Sequence, residues 1–380
     1  MHPRNALATL ALLVSLPLAR AQDDGIWTSA GGGSWANPGN WLDGTIANGT
    51  DSTATFGINL FPINTSATFT LNGARTIGSL SFTAQSGPDN WILNTGTGGP
   101  LTLDDDIDDY AQVTVSQPFQ QVIFNVVLAG VTGLEKFGNG TLILTATNTY
   151  TGGTVVSGGT LLVNGKITDA NAVTVAAGTL GGTGMISGPV TVQSGGFISP
   201  GSSPGTLTIS NSLTLQAGSK AWLDVNASTL AHDFVTGISS ANYGGTLIVS
   251  NLAGTPALGQ SFPIFSAASP AGNFSTITPQ LTGAVRWRFD PASGVLSVVT
   301  TNSQPKFSSL ALVAKTNLVF NLTNGVPGGT NYLLASTNLI LLRTNWTRLM
   351  TNIFDPGGNL VFTNSIGPAV LQRFFQIMAP

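Results

Sequence analysis

The sequence predicts an all-β protein: a long parallel β-solenoid followed by a small β-sandwich-like C-terminal domain. Three observations carry that reading. First, Gly-Thr-Leu recurs at Gly140, Gly159 and Gly178 with gaps of 19 residues, and again at Gly205 and Gly245. A period near 18 to 19 residues is too short for helix-pair repeats or propeller blades and fits one coil of a solenoid. Second, apolar residues alternate within each unit, as in Leu142 and Leu144, Val173 and Val175, Val190 and Val192, and Leu207 and Ile209. Such alternation turns one face of a strand inward. Third, charged residues make up only 8% of the 380 positions, hydrophobic residues 42%, and Gly numbers 47. High Gly and Thr with a single Glu suit short strands joined by tight turns and leave little to form helices.

The elements follow in order. Residues 1–21 read as a secretory signal peptide: a basic start to Arg4, an apolar run from Ala6 to Leu18, then Ala19-Arg20-Ala21 as a cleavage pattern. A buried N-terminal helix is the competing reading. No later apolar run approaches the roughly 18 residues of a spanning helix, so no transmembrane helix is expected. The expected mature chain carries a net charge of −5 by residue count, which offers no footprint for nucleic acid. The chain has no cysteine, so a long repetitive core must replace disulfides in an exported protein.

Residues 22–130 are expected to form an N-terminal cap and the first coils. Trp27, Trp35 and Trp41 sit among glycines. They read as a cover for the first coil, with a sugar-stacking platform as the alternative. Residues 131–300 hold the clearest repeats, with Gly158-Gly159, Gly181-Gly182 and Gly195-Gly196 at expected corners. At 19 residues per coil, Gly25 to Val299 gives about 14 coils and a length near 65 Å at roughly 4.8 Å per coil. Inward positions should include Leu142, Leu144, Val156, Leu161, Val175, Leu180, Val190, Val192 and Leu207. The segment from Tyr243 to Val299, with Pro256, Pro263, Pro270 and Pro279, should close the far end, because proline removes ladder donors. Thr300 to Pro305 reads as a linker. Residues 306–380 then show five or six alternating runs separated by Pro327-Gly-Gly and Asp355-Pro-Gly-Gly turns, a small sandwich pattern.

From Gly133 to Leu161 the sequence resembles the autotransporter-associated β-strand repeat, or passenger-associated transport repeat. The marks of that family fall on Leu134, Lys136, Gly138, Gly140, Thr141 and Leu142, then on Asn148, Tyr150, Gly152 and Thr154. Glu135 and Phe137 depart from the small polar residues usual there. The resemblance implies a right-handed parallel β-helix passenger, exported, displayed at the cell surface and without enzymatic activity. An autotransporter carries an outer-membrane barrel of roughly ten-residue strands. The stretch after Pro305 is too short for one, so the resemblance implies export machinery supplied by other proteins. The tail also resembles C-terminal domains at the ends of secreted repeat proteins, where sorting or anchoring is the expected role.

Candidate chemistry is sparse. Asp104, Asp105, Asp106, Asp108 and Asp109 are the strongest cluster. Enzymes with parallel β-helices use grouped aspartates, and Ca²⁺ favours grouped oxygens. A solvated turn is the reading preferred over weak Ca²⁺ binding and over catalysis, because no catalytic basic partner lies near in sequence. His232 beside Asp233 lacks a Gly-x-Ser-x-Gly elbow for a triad. One histidine in the mature chain without cysteine does not furnish a zinc site. Gly181-Gly-Thr-Gly184 lacks the Lys-Ser/Thr of a phosphate loop. No catalytic residue, cofactor or firm metal ligand is expected. The functional expectation is a secreted or surface structural or adhesive protein with extracellular polysaccharide or other surface components as partners. The alternative is a carbohydrate-binding or polysaccharide-degrading β-helix.

Overall fold

A computed structural model describes residues 23–378, apart from 30–31, 58–65, 84–89, 202–203, 284, 301–304, 315, 324, 326–328, 356–358 and 366–372. The signal-peptide segment, most of the linker and parts of the two C-terminal turns lie outside the described residues. Among those described, every α-helical position is missing and only three short 3₁₀ turns occur.

Each central coil contributes three short strands. Gly133–Phe137, Thr141–Leu144 and Thr147–Asn148 form one coil, and Thr154–Val156, Thr160–Val163 and Lys166–Ile167 form the next. Equivalent strands pair in parallel, as Leu134 with Thr154, Leu142 with Leu161 and Asn148 with Ile167. The result is a parallel β-helix. One wall is an eleven-stranded sheet running from Gly33–Ser34 to Thr276–Thr278. Inside it, all nine residues expected to face inward are fully buried. They belong to one continuous apolar core from Trp27 to Val298. The reason is the period-2 pattern: Thr141–Leu144 buries Leu142 and Leu144 and turns Thr141 and Ile143 out.

The expected 14 coils are corrected to eleven rungs, a stack of about 48 Å at roughly 4.8 Å per step. The 19-residue step holds from Leu142 to Leu161 to Leu180. Trp91 to Val122, however, spans 31 residues, and Leu247 to Ile277 spans 30. Extra residues enter the corners, such as the loop between Leu101–Leu103 and Tyr110–Val115. Lengthening a surface loop costs little free energy, so coil length drifts wherever the core does not constrain it.

Both ends are covered. Trp27, Trp35 and Trp41 are buried and stack edge-on, with Trp27 to Trp41 and Trp35 to Trp41 each 5.1 Å between centroids. They rest on Phe56 and Phe69. Their indole N–H groups donate inward, to Ser29, Ala47 and Trp35 carbonyls. A sugar-stacking platform is therefore overturned, since no ring face is open. At the other end the coils stop near Thr278 instead of Val299. Ser261–Pro263, Val285–Asp290 and Val295–Thr300 form an antiparallel sheet, and Tyr243, Phe265, Phe274 and Phe289 pack together beneath it. Pro263 and Pro270 lie in Ser261–Pro263 and Phe265–Gly272, each paired on one side only among the described residues. Edge strands tolerate proline because their outward N–H has no ladder partner to lose.

Beyond Pro305 two three-stranded antiparallel sheets face each other. Lys306–Val313, Asn317–Thr323 and Leu360–Ser365 form one, and Thr330–Ser336, Thr347–Ile353 and Phe374–Met378 the other. Phe320, Leu322, Leu333, Phe354 and Phe362 make a core that shares no residue with the β-helix core.

Candidate functional surface

The repeat marks prove to be the joints of the coil. Lys136 has no exposed surface. Its Nζ donates to the carbonyls of Phe137 at 2.6 Å, Gly138 at 3.1 Å and Gly158 at 3.2 Å, which ties one corner to the corner of the next coil. Burial pulls its amine down to about 8, because desolvation disfavours the charged form. Asn148 does the same at another corner. It accepts from Leu128 N at 3.0 Å and donates to the Ala146 and Lys166 carbonyls, joining three consecutive coils. Tyr150 is fully buried and its hydroxyl meets Thr154 Oγ1 at 2.7 Å, and burial raises the phenol well above its ordinary range. Gly138 adopts φ +76°, where a Cβ would lie 2.2 Å from the Val115 carbonyl oxygen. At Gly152 a Cβ would lie 2.0 Å from Gly133 N. Gly140, Thr141 and Leu142 then lead into the next wall. These residues carry structure, and none of them opens to a cleft.

The acidic run forms a tied loop. Asp104 Oδ2 accepts from Thr50 Oγ1 at 2.8 Å. Asp105 Oδ1 accepts from Ile107 N and Asp108 N, an Asx turn. Asp106 N donates to Asp51 Oδ1 at 2.6 Å. Asp108 and Asp109 follow at the tip and its return. Among the described residues no three acidic, His or Cys side chains converge to hold a metal ion. Of the run, the Asp104 and Asp105 carboxylates accept hydroxyl and backbone donors.

His232 and Asp233 also lie at a joint. Asp233 accepts from Gly205 N at 2.8 Å and Asp224 N at 2.9 Å. Burial pushes its carboxyl up to about 6 against the pull of those donors, with Asp224 nearby adding to the rise. His232 Nδ1 meets the Leu230 carbonyl at 2.9 Å, and the ring packs edge-on against Phe234 and Phe262.

The extended surface that sequence reading missed is the outer face of the eleven-stranded wall. Successive strands align Ile92, Ile123, Ile143 and Leu162 in one outward column. Beside it runs Asn90, Gln121, Thr141, Thr160 and Thr179. On the other flank Asn125 Nδ2 donates to Asn94 Oδ1 at 2.7 Å, and Thr145 Oγ1 donates to Asn125 Oδ1. The strands 90–94, 121–124, 141–144, 160–163 and 178–182 contain no charged residue. The face is thus a flat strip of aliphatic groups between two hydroxyl and amide columns, repeating at about 4.8 Å. Further along, Trp222 is 44% exposed and pairs with Ile248 in the same wall. The signal was present as unbroken apolar runs, Trp-Ile-Leu, Val-Ile-Phe and Leu-Ile-Leu, where a half-buried strand would alternate.

By fold and repeat geometry the molecule is a parallel β-helix. The family profile of the passenger-associated-transport-repeat matches residues 134–163, the coils joined by Lys136 and Asn148. The chain is also similar to the adhesin BmaC autotransporter of Brucella suis biovar 1 (strain 1330), at 33% identity over 188 residues. That alignment covers 44% of this chain and 5% of the Brucella protein, so the chain spans a small fraction of the relative it matches. Among the described residues no helix is long and apolar enough to cross a membrane.

Proposed function

We propose that this protein is an exported, cell-surface passenger-type protein that adheres through the outer face of its β-helix and performs no catalysis. The uncharged aliphatic and hydroxyl strip of the eleven-stranded wall is the observation that carries this reading. A regular flat face without charge offers C–H contacts and hydrogen bonds at a fixed repeat, which suits a neutral extended polymer such as extracellular polysaccharide. The similarity to a protein named as an adhesin, and the repeat itself, support surface display and adhesion. An enzyme needs two or more ionisable groups converging on one cleft. Lys136 and Asp233, both displaced by burial, instead bind backbone groups at coil joints. A glycan array combined with polysaccharide-degradation assays tests the proposal. Retention of neutral polysaccharide without cleavage is expected, and reproducible cleavage of any polysaccharide overturns it.

A further inference from the structure

The C-terminal domain is electrically opposite to the β-helix. Residues 22–305 hold 6 basic and 15 acidic side chains, whereas residues 306–380 hold 5 basic side chains and one acidic, Asp355. The domain is also polar along its length. Thr330 pairs with Ile353 at one end of its second sheet, and Ala335 pairs with Thr347 at the other. Asp355 sits at the first end, in the turn it closes with Asn359. Arg343 sits at the second, where Arg373 shares a groove with Leu341 and Asn345.

That same basic end carries the loop Leu339-Ile340-Leu341-Leu342, with exposures of 62%, 92%, 43% and 74%. Four consecutive aliphatic side chains held in water are unusual on a soluble protein. The loop is nonetheless built. Ser336 Oγ exchanges hydrogen bonds with the backbone of Asn338, Asn338 Oδ1 accepts from Ile340 N at 2.9 Å, and Trp346 Nε1 donates to the Leu341 carbonyl at 3.1 Å. Arg348 turns back along the sheet, its guanidinium 3.8 Å from the Tyr332 ring centroid and its Nε donating to Thr351 Oγ1 at 3.1 Å, which leaves Arg343 and Arg373 at the loop. An exposed aliphatic tip, a tryptophan at its base and two arginines beside it match the layers of an anionic bilayer. The tip enters the acyl boundary, the indole lies at the interface, and the guanidinium groups meet phosphates.

We infer that the C-terminal domain docks on a phosphate-bearing lipid surface by inserting Leu339–Leu342, with Arg343 and Arg373 on the headgroups. This goes beyond adhesion by the β-helix and does not depend on it.

Vesicle flotation of the full mature chain tests the inference. Vesicles containing phosphatidylglycerol should carry the protein, pure phosphatidylcholine vesicles should carry about tenfold less, and high salt should weaken the first. The Ile340→Asp/Leu342→Asp variant alters only exposed side chains, so its far-UV circular dichroism should be unchanged while flotation falls about tenfold or more. Arg343→Gln/Arg373→Gln should reduce the preference for anionic vesicles. Absence of flotation overturns the inference, as does flotation that the folded aspartate variant retains. Binding of glycans or whole surfaces has no bearing on this result, so failure here is distinguishable from failure of the adhesive reading.

Discussion

At the scale of single residues, the repeat motif is a set of coil joints, and Lys136 makes the sharpest case. Its amine titrates at about 8 in the folded chain, against 10.5 unfolded. Below pH 8 both states are charged, and the folded state bears the full cost of burying the charge. Between about pH 8 and 10.5 the unfolded chain binds more protons, so this residue makes stability rise with pH. The gain is at most about 3 kcal/mol. Urea denaturation from pH 7.5 to 10.5 should show a rise relative to Lys136→Met, in which this component vanishes. Identical pH dependence in both proteins would show that the lysine is not buried as a cation. Asp233 acts in the other direction, because its raised pKa makes stability fall as pH climbs from about 4 to 6. Lys136, Asn148 and Tyr150 were legible in the sequence as family marks, but their partners were not. A corner lysine that reaches the carbonyl of Gly158 depends on coil stacking, which no local pattern encodes.

At the scale of elements, strand positions were legible wherever one side was apolar, and coil length was not. The core dictates which residues point inward, while corner loops such as 104–109 can grow at little cost. The same asymmetry explains the caps. Trp27, Trp35 and Trp41 stood out as large aromatics among glycines, and the stacked coil beneath them required a cover. Trp35 has no exposed surface and its indole N–H is bonded to the Ala47 carbonyl. Trp35→Ala should therefore destabilise the β-helix by about 3–5 kcal/mol. Hydrogen exchange should show the loss of protection first in strands Thr53–Phe56 and Ser66–Thr70, which the cap covers. A variant with wild-type stability and protection would mean that the first coil needs no aromatic cover. The outward column Ile92, Ile123, Ile143 and Leu162 was overlooked for a physical reason. An apolar residue on the outer face of a strand looks like core until the register shows which side it occupies.

At the scale of the whole molecule, two cores divide the work. We propose that the chain comprises a β-helix with its antiparallel end cover, together reaching about residue 300, and a separate domain over 306–380. Deleting Phe307–Pro380 should then leave the melting transition of the β-helix within a few degrees of its original value. Loss of that transition would make the tail a structural cap. The all-β class and the order of the two parts were readable from periodicity and turn residues. The charge separation between them was in the composition but took meaning only once the arginines were seen at one end. The account rests centrally on the uncharged part of the outer wall, over strands 90–94 to 178–182, as the adhesive surface. Its most direct test is binding of the full mature chain to immobilised neutral polysaccharides, compared with Ile143→Asp/Leu162→Asp. Both residues face outward and are half-buried, so circular dichroism is recorded beside binding to show that the variant keeps its fold. The account predicts that binding falls at least about tenfold, from two buried carboxylates at the contact; unchanged binding by the folded variant would contradict it.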